Sequence, residues 1–460
     1  MIHAGLDVHK DQITYCLLDD AGEVTERGQI ACHRDAIARF AQRLGPQAAV
    51  AMEATTHSQA IAYLIQPSVQ RVVVANPMKV RAIAEARVKT DKVDAEVLAQ
   101  LLRCDYLPSV WLPDELTRQE RQLTGRRTAV INQRTEVINR IHSLLASRLI
   151  PLPKTKLLSK AGRQWLAELE LDALDRAELD SELRLIEALD QEIARLEQQI
   201  AELAYQRQEA RLLMTIPGIS QQVAMSLLAA WGDWRRFKSA DHAASYLGLV
   251  PSTHQSNKRC YHGSITKAGR SHGRMMLTQA AQSVRHQQTP VGSFFRKLAR
   301  RKNQNVATTA TARKLAVIAF HVLQSGEPYR YAPPQSTATK LAQLRIQATG
   351  QRRAGGFPKG QRPTRKAAGL TRHRPALNEV YAKEQLPAAL EPDKLPAGEQ
   401  RMLDTSALME RAQQIHAAER VPRNQSKGKR EGRNEEKSSG RASSDDSRAS
   451  KNKGVQILKR

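Results

Sequence analysis

Residues 2–18 read IHAGLDVHKDQITYCLL, two apolar runs joined by a tight connection, and the first run ends in an acid, Asp7. EVTERGQIAC continues the pattern after a turn at Ala21-Gly22, so three successive short strands predict an antiparallel meander. Asp7 lies in apolar surroundings, where an unpaired carboxylate is costly. We therefore expect this acid to have a partner elsewhere in the chain.

Strand and helix patterns alternate after the meander. HRDAIARFAQRLG is helical and stops at Gly45, QAAVAMEA is typical of a buried strand, HSQAIAYLIQ of a helix, RVVVANP of a strand ending at Pro77, and MKVRAIAEAR of a helix. The resulting order β-β-β-α-β-α-β-α predicts a mixed five-stranded sheet with helices packed on it.

Three further acids fall where this fold would bring them to Asp7. Glu53 ends the fourth strand, and Asp91 and Asp94 lie one helical turn apart in VKTDKVDAEVLAQLLR, residues 88–103. Each acid alone is more simply explained as a solvated strand end or a first-turn helix residue. Four converging carboxylates would repel one another unless a divalent cation lay between them, and oxygen ligands suit Mg²⁺ or Mn²⁺.

Long helical periodicity begins near Asp114. One segment repeats apolar residues at spacings of three and four, which is a heptad seam: Leu179, Leu183, Ile186, Leu189, Ile193, Leu196, Ile200 and Leu203. The seam fits either a helical hairpin within one chain or a coiled coil between protomers. We favour a coiled-coil arm, and with it a homo-oligomer, a dimer or tetramer.

The next segment, ARLLMTIPGISQQVAMSLLAAWGDW, places Pro217 and Gly218 between two apolar helices. This pattern fits a helix-hairpin-helix, whose turn can bind a phosphate through backbone N–H groups. A plain turn between helices fits it equally well. Downstream, Lys267, Arg270 and Arg274 are spaced three and four apart, so they are expected to form one basic face of a helix.

The net charge of +26 points to a polyanionic partner, most often nucleic acid. Lys89 and Lys92 precede the two helical aspartates and are predicted to lie beside phosphates. No apolar run reaches the roughly 20 residues that span a bilayer, so no membrane partner is expected. Four cysteines without a CxxC pair predict reduced thiols and a cytoplasmic, nucleoid-associated protein.

The order Asp7…Glu53…Asp91-x-x-Asp94 resembles the RuvC branch of the ribonuclease H-like fold. GLDVHKD, AMEATTHSQ and KTDKVDAEVLAQLL are similar to the N-terminal domain of insertion-sequence family 110, the DEDD-type transposases. IPGISQQVAMSLLAAWGDWRRF, with the segment that follows through SHGR, resembles that family's C-terminal transposase domain. The resemblance covers about residues 1–325.

Composition, periodicity and the resemblance together predict four regions, the last of which departs from the family's usual length. They are an α/β RuvC-like DEDD catalytic domain at 1–112, a helical coiled-coil arm at 113–208, a mostly α transposase domain with helix-hairpin-helix and nucleophilic serine at 209–330, and a basic, largely disordered tail at 331–460. Half of the net charge lies in residues 341–460, where 26 basic residues face 13 acidic ones. We expect truncation after Glu327 to preserve folding and weaken nucleic-acid binding, unless the tail is a neutral extension.

The resemblance also implies a mechanism. Family members are DNA transposases in which Asp7, Glu53, Asp91 and Asp94 would hold metal and a serine would attack DNA, guided by a structured non-coding RNA. The family's register selects Ser256, although Asn257 stands where a glycine is usual, and Ser252 is a second candidate. Because the serine and the acids are distant in sequence, we expect a composite site, with partner protomers as the favoured source.

Two other functions fit the same residues. A hydrolytic nuclease of the Holliday-junction-resolvase kind would use the four acids with water as the nucleophile. A non-catalytic nucleic-acid-binding protein would keep the basic surface without the chemistry. A covalent protein–DNA adduct distinguishes the transposase from the first, and strand exchange distinguishes it from the second.

Overall fold

The computed structural model describes residues 1–83, 91–256, 259–351, 371–395, 397, 400–401 and 409–422. These residues belong to two compact units, Met1–Asp114 and the part of the chain from Glu115 onward. The first unit is a mixed α/β sheet with helices, and the second is mostly helical. The predicted alternation of strands and helices in the first hundred residues is confirmed.

The first unit follows the predicted element order. Its elements are β1 (Ile2–Val8), β2 (Gln12–Leu18), β3 (Val24–Ala31), α1 (Arg34–Leu44), β4 (Ala48–Glu53), α2 (Ser58–Ile65), a 3₁₀ turn (Gln66–Ser68), β5 (Arg71–Ala75), α3 (Pro77–Ile83) and α4 (Asp91–Arg103). The strand order is β3-β2-β1-β4-β5, with β1 antiparallel to β2 and parallel to β4. The three meander strands are therefore neighbours at one side of the sheet, and β4 and β5 lie beside β1 on the other, each preceded by a helix.

Helices cover both faces of the five-stranded sheet. On one face, Leu6, Val50 and Met52 pack into a core with apolar residues of α1 and α2. On the other, Leu98 and Leu102 of α4 pack against β4 and β5. The central strands are apolar on both faces because each face is buried, as is usual where parallel strands are covered by helices.

The second unit contains the remaining elements. They are α5 (Glu115–Ser147), α6 (Lys160–Glu168), α7 (Ala173–Gln206), α8 (Gln208–Thr215), α9 (Gln221–Trp231), a 3₁₀ turn (Trp234–Arg236), α10 (Ala240–Tyr246), β6 (Pro251–Ser256), β7 (Arg259–Ile265), α11 (Ser271–Val284), α12 (Pro290–Arg301), α13 (Gln304–Ser325), α14 (Pro334–Thr349), β8 (Thr371–Arg374), α15 (Leu377–Lys383), a 3₁₀ turn (Pro392–Lys394), α16 (Met409–His416) and β9 (Glu419–Pro422). Strands β6 and β7 pair antiparallel, as do β8 and β9.

The heptad seam of α7 is covered within the same chain. Leu179 and Ile186 are fully buried in a cluster with Val137, Ile141 and Leu145 of α5. Ion pairs flank this contact, three of them with the arginine on α5: Arg127–Glu197, Arg134–Asp190, Arg140–Glu182, Arg148–Asp175 and Arg207–Glu120. The helical-hairpin alternative therefore accounts for the seam, and the interpretation of it as a contact between protomers loses its basis.

The predicted disordered tail begins too early. Helix α14 lies inside it, yet Leu341 and Leu344 are buried in the core of the second unit, and so are Leu377 and Tyr381 of α15. On α14, Lys340 donates hydrogen bonds to three backbone carbonyls, those of Met214, Ile216 and Ile219. Composition averaged over residues 331–460 is polar, and this average concealed a few apolar residues at helical spacing.

The burial of α14 and α15 reverses the result that the sequence predicts for truncation. Ending the chain after Glu327 should lower the melting temperature by roughly 10 °C or prevent folding, because it removes several side chains that each contribute about 1.5–3 kcal/mol by burial. Thermal unfolding followed by circular dichroism measures this. A chain ending after Pro422 is the control, since it retains all of these contacts; equal melting temperatures for the two truncations would contradict the assignment of α14 and α15 to the core.

Helix α13 is the one helix among the described residues that is long and apolar enough to cross a membrane, with a mean hydropathy of 1.3. Its Ala312, Leu315, Ala316 and Phe320 are buried in the core of the second unit. The apolar character of α13 is therefore explained by packing within that unit.

Candidate metal centre

Two acids end neighbouring parallel strands of the first unit. In the pairing of β1 with β4, Leu6 lies opposite Met52. Asp7 directly follows Leu6 and Glu53 directly follows Met52, so the two acids leave the same edge of the sheet side by side. Strands β1 and β4 are therefore neighbours, as the prediction from sequence required.

Helix α4 approaches this edge through an unusually close contact with β1. A Cβ atom built on Gly5 would lie 2.0 Å from the carbonyl oxygen of Ala95 and 2.6 Å from the backbone nitrogen of Ala99. Both alanines are fully buried. Only a residue without a side chain allows the helix backbone this near the strand, and glycine inside a strand often marks such an approach. The contact sets the first turn of α4, with Asp91 and Asp94, near the end of β1.

His9 lies between two of these carboxylates. Its Nε2 atom is 3.0 Å from Oδ2 of Asp7 and 3.4 Å from Oδ2 of Asp91. One potential ligand atom from each of the three residues lies within 4.8 Å of the others. The Asp7 side chain is 21% exposed, whereas those of His9 and Asp91 are about half exposed. The cluster is thus open to solvent on one side and anchored on the sheet on the other.

The electrostatics of the site reflect how close Asp7 lies to His9, Asp91 and Asp94. Burial raises the pKa of Asp7, the charge of His9 and its hydrogen bond lower it, and the charges of Asp91 and Asp94 raise it further, so that the pKa lies above its ordinary value. The charge of Asp7 in turn raises the pKa of His9, with a smaller contribution from Asp91. Asp94 therefore lies close enough to Asp7 to disfavour its charged form, which is the crowding expected of a cation site.

The donor set fits a divalent metal ion of the hard type. Carboxylate oxygens such as those of Asp7 and Asp91 are the ligands that Mg²⁺ and Mn²⁺ prefer. A bound cation would also offset the repulsion of Asp7 by Asp91 and Asp94. An imidazole is a softer ligand, so His9 suits a role in orienting Asp7 better than direct coordination of Mg²⁺. These residues form an acidic cluster able to bind a divalent metal.

Replacing Gly5 by alanine should disrupt this site without touching an acid. The new methyl group would meet backbone atoms of α4, so the helix must move, at an expected cost of about 3 kcal/mol or more in unfolding free energy. We expect a lower melting temperature and at least tenfold weaker Mn²⁺ binding by calorimetry. Gly125→Ala is the control, since a Cβ at Gly125 meets nothing within 4 Å. Wild-type Mn²⁺ affinity in Gly5→Ala would show that the close contact does not position the site.

The sequence predicts two lysines beside the acids, Lys89 and Lys92. Lys92 is exposed in the first turn of α4, between the two aspartates. Lys89 lies outside the described residues. Exposure leaves Lys92 able to reach a phosphate, and its role stays a prediction.

Both candidate serines lie on β6 in the second unit. Ser256 is exposed at the end of the strand, paired with Arg259 of β7. Ser252 is half-buried and donates a hydrogen bond to the carbonyl oxygen of Ser264 at 3.2 Å. Asn257, on which the predicted turn depended, lies outside the described residues. The exposed hydroxyl of Ser256 is the better placed of the two to meet a large substrate.

The Pro217-Gly218 turn joins α8 to α9. Gly218 has a φ of +86°, and a Cβ there would lie 2.5 Å from the Val284 side chain, so the turn needs glycine. Ser220 caps α9 by accepting a hydrogen bond from the Val223 backbone nitrogen. The turn lines a cavity of about 400 Å³. A short turn between two helices is therefore present, and phosphate binding by this turn stays a prediction.

The predicted basic face of Lys267, Arg270 and Arg274 is wrong in its geometry. Lys267 lies in the preceding loop with a φ of +55°, and Arg270 is the residue before α11. Only Arg274 is helical, and its guanidinium donates to the backbone carbonyls of Leu247 and Lys267. The spacing of three and four matched a helix, but the left-handed backbone at Lys267 and at Gly269 ends any regular helix there.

Sequence reasoning missed two residues that shape the metal cluster, His9 and Gly5. His9 had a local signal, since it follows Asp7 by two positions at the end of a strand. Gly5 also had one, because an isolated glycine in an apolar strand indicates close backbone approach. Neither signal is specific without the position of α4.

Two family profiles match the chain. A transposase profile of the DEDD type named for IS110 matches residues 4–149, and a second, described as "Transposase IS116/IS110/IS902 family", matches residues 210–295. Together they span about half of the chain and include β1, β4, α4 and the β6–β7 hairpin.

A pilin gene-inverting protein and transposases of other bacteria match more than half of the chain. A "Pilin gene-inverting protein" of Moraxella lacunata is 29% identical over 268 residues, 56% of this chain and 74% of that protein. The transposase for insertion sequence element IS1328 of Yersinia enterocolitica is 26% identical, covering 61% of this chain and 85% of its own length. The transposase for IS1111A of Coxiella burnetii is 24% identical over 71% of this chain and 90% of its own length.

Proposed function

The chain belongs to the IS110 family of transposases, and from this premise we propose that it is a DNA recombinase that cuts and rejoins strands by phosphoryl transfer. Asp7, Glu53, Asp91 and Asp94 hold divalent metal, and Ser256 is the nucleophile. The observation that carries the proposal is the convergence of acids from β1 and α4 within the first of the family's two regions.

The role of the acids follows from their placement. A divalent ion bound there supplies positive charge that stabilises the extra negative charge of a phosphate under attack. The sheet fixes Asp7 and Glu53, and the Gly5–Ala95 contact fixes the start of α4, so little reorganisation accompanies binding. His9 holds the Asp7 carboxylate through its 3.0 Å contact.

The role of Ser256 is to preserve the energy of the phosphodiester bond. Its Oγ atom forms a bond to phosphorus while one P–O ester bond breaks, the serine proton leaves, and the departing DNA hydroxyl is protonated. A hydroxyl of the new partner strand then attacks the phosphorus, the bond between phosphorus and Ser256 Oγ breaks, and the proton lost by that hydroxyl returns to the serine. No oxidant or nucleotide cofactor enters this balance, which suits an exchange of strands between two DNA molecules.

The partners follow from the same chemistry. Element ends and target DNA are the substrates, and a structured non-coding RNA that pairs with both is proposed as the guide. The surplus of basic residues supports polyanionic partners of this kind. Rejoining two duplexes needs several strand cuts while each chain offers one Ser256, so a homo-oligomer is part of the proposal, through surfaces other than the α7 seam.

Strand exchange in vitro tests this function. Purified protein, Mg²⁺ or Mn²⁺, the RNA transcribed from the element's flanks and two labelled DNA duplexes should yield recombinant junctions that sequencing identifies. Omitting the metal or the RNA should each remove the product. Cleaved but unjoined DNA would favour a hydrolytic nuclease instead, and binding without any strand cut would favour a non-catalytic protein.

A further inference from the structure

The β6–β7 hairpin, which carries Ser256, is a ribbon of two strands that is open to solvent. Residues 253–256 and 259–264 are all exposed. A hairpin of two strands is only marginally stable in water by itself, so a ligand that packs on this ribbon would add to its stability. The ribbon is therefore a surface on which a partner can lie.

Cross-strand pairing assigns the side chains of the hairpin to its two faces. His254 lies opposite Tyr261, and Ser256 lies opposite Arg259. Opposite residues of an antiparallel pair point to the same side of the ribbon, and so do residues two apart on one strand. These four side chains therefore share one face, which we call the Ser256 face.

Contacts between side chains agree with this register. On the Ser256 face, the rings of His254 and Tyr261 are stacked, with centroids 5.1 Å apart and an interplanar angle of 17°. On the other face, Oγ1 of Thr253 lies 2.9 Å from Nδ1 of His262. Each face thus has its own cross-strand contact. The stacked rings are held in place before any ligand binds, which reduces the entropy lost on binding.

The ring of Tyr261 remains open on the side away from His254. Tyr261 is 65% exposed even though one side of its ring lies against the imidazole. An exposed aromatic ring is a surface on which any nucleic-acid base can stack, because every base has a π-face. The two rings therefore form a stacking platform beside Ser256.

The charge around the hairpin favours a polyanionic ligand. Residues 242–326 contain 13 lysines and arginines and no aspartate or glutamate. Arg259 is exposed on the Ser256 face, and the Cβ atoms of two residues paired in this way are about 5 Å apart. A guanidinium at this position can bind a phosphate of the strand that Ser256 meets. A base on the platform and a phosphate at Arg259 are parts of one ligand, a nucleic-acid strand.

We propose that Tyr261, supported by His254, stacks on an unpaired base of the DNA strand that Ser256 attacks. Taking DNA as the ligand rests on the proposed function. Residues two apart on a β-strand are separated by about 7 Å, and phosphates repeat every 3.4 Å or so along one DNA strand, which places the base within about two nucleotides of the attacked phosphate. Strand exchange requires bases to leave their old partners. Tyr261 would hold one such base and so position the phosphate for the serine hydroxyl.

Binding of DNA single strands with and without bases tests the proposal. Two labelled strands of equal length and charge, one of thymidines and one of abasic nucleotides, are titrated with the full chain and followed by fluorescence anisotropy. We expect Tyr261→Ala to weaken binding to the thymidine strand about tenfold and to leave binding to the abasic strand unchanged. Tyr261→Trp should bind both strands as wild type does, because it keeps a ring.

The salt dependence of the same titrations separates stacking from charge. Tyr261→Ala should keep the wild-type slope of log affinity against log salt, since it removes no charge. Arg259→Gln should reduce that slope by about 0.7 on both strands, the value for one phosphate contact with a single strand. A base contact and a phosphate contact on the same face would thus be read independently.

Tyr106→Ala is the matched control, because Tyr106 is 64% exposed but lies outside the hairpin. It should leave binding to both strands unchanged. Tyr261→Leu separates stacking from packing within the hairpin, since it keeps apolar bulk beside His254 and should show the same tenfold loss as Tyr261→Ala.

Three results would overturn the proposal. They are an equal effect of Tyr261→Ala on the thymidine and abasic strands, wild-type binding by Tyr261→Leu, and a loss found with a uridine RNA strand but not with the thymidine strand. Because binding is read without cleavage, failure of the serine chemistry in strand exchange leaves this result intact.

Discussion

Replacing Ser256 by alanine is expected to abolish covalent attachment of the protein to DNA and to slow strand cleavage by at least about 10³-fold, roughly 4 kcal/mol in activation free energy. The reason is that the exposed Ser256 hydroxyl is the proposed nucleophile, and alanine has no atom that can form the bond to phosphorus. Denaturing gel electrophoresis with labelled DNA measures both the adduct and the cleaved strand. DNA affinity and melting temperature should stay unchanged, since the side chain is exposed.

Ser252→Ala is the matched control for this result. Ser252 lies on the same strand, but its hydroxyl donates to the Ser264 carbonyl, so its loss should affect the hairpin slightly and leave the adduct in place. An adduct that persists in Ser256→Ala and disappears in Ser252→Ala would exchange the roles of the two serines. Undiminished cleavage in both variants would point to water as the nucleophile.

Replacing Asp91 by asparagine is expected to have an effect of similar size by a different route. Strand cleavage should fall by at least about 10³-fold because the site loses a charged ligand for the metal. Without metal, the relief of repulsion between Asp91 and Asp7 should roughly offset the lost interaction with the helix N-terminus, so the variant should be about as stable as wild type. Adding Mn²⁺ at 100 times its dissociation constant should stabilise wild type by about 2.7 kcal/mol and leave the variant almost unchanged.

Asp35→Asn separates a metal ligand from an ordinary first-turn acid. Asp35 lies in the first turn of α1, as Asp91 does in α4, so both substitutions remove the same favourable interaction with a helix N-terminus. Asp35→Asn should lower stability by less than about 1 kcal/mol and keep the Mn²⁺ response. If Asp91→Asn behaved in the same way, Asp91 would be a capping acid with no role in metal binding.

The first unit could be predicted from sequence because each of its signals is local. Short apolar runs around Leu6 and Val73, the turn at Gly22 and the helix stop at Gly45 each specify one element, and the alternation of elements then limits the sheet order. The pairing of Asp7 with Glu53 followed from that order. Family motifs supplied the rest, since no local pattern distinguishes Asp91 as a ligand from Asp35 as a cap.

What could not be predicted depends on contacts between distant residues. Heptad spacing at Leu179 and Ile186 is the same whether the partner helix belongs to the same chain or to another. The burial of Leu341 and Tyr381 was hidden because composition averages over position.

The metal centre itself is tested most directly by crystals of the protein grown with Mn²⁺ and measured at the manganese absorption edge. We predict an anomalous peak about 2.1 Å from carboxylate oxygens of Asp7 and Asp91, and its loss in Asp91→Asn crystals grown in the same way. A peak elsewhere, or carboxylates that bind no manganese while strand cleavage in solution still requires it, would contradict the assignment of this cluster as the catalytic metal site.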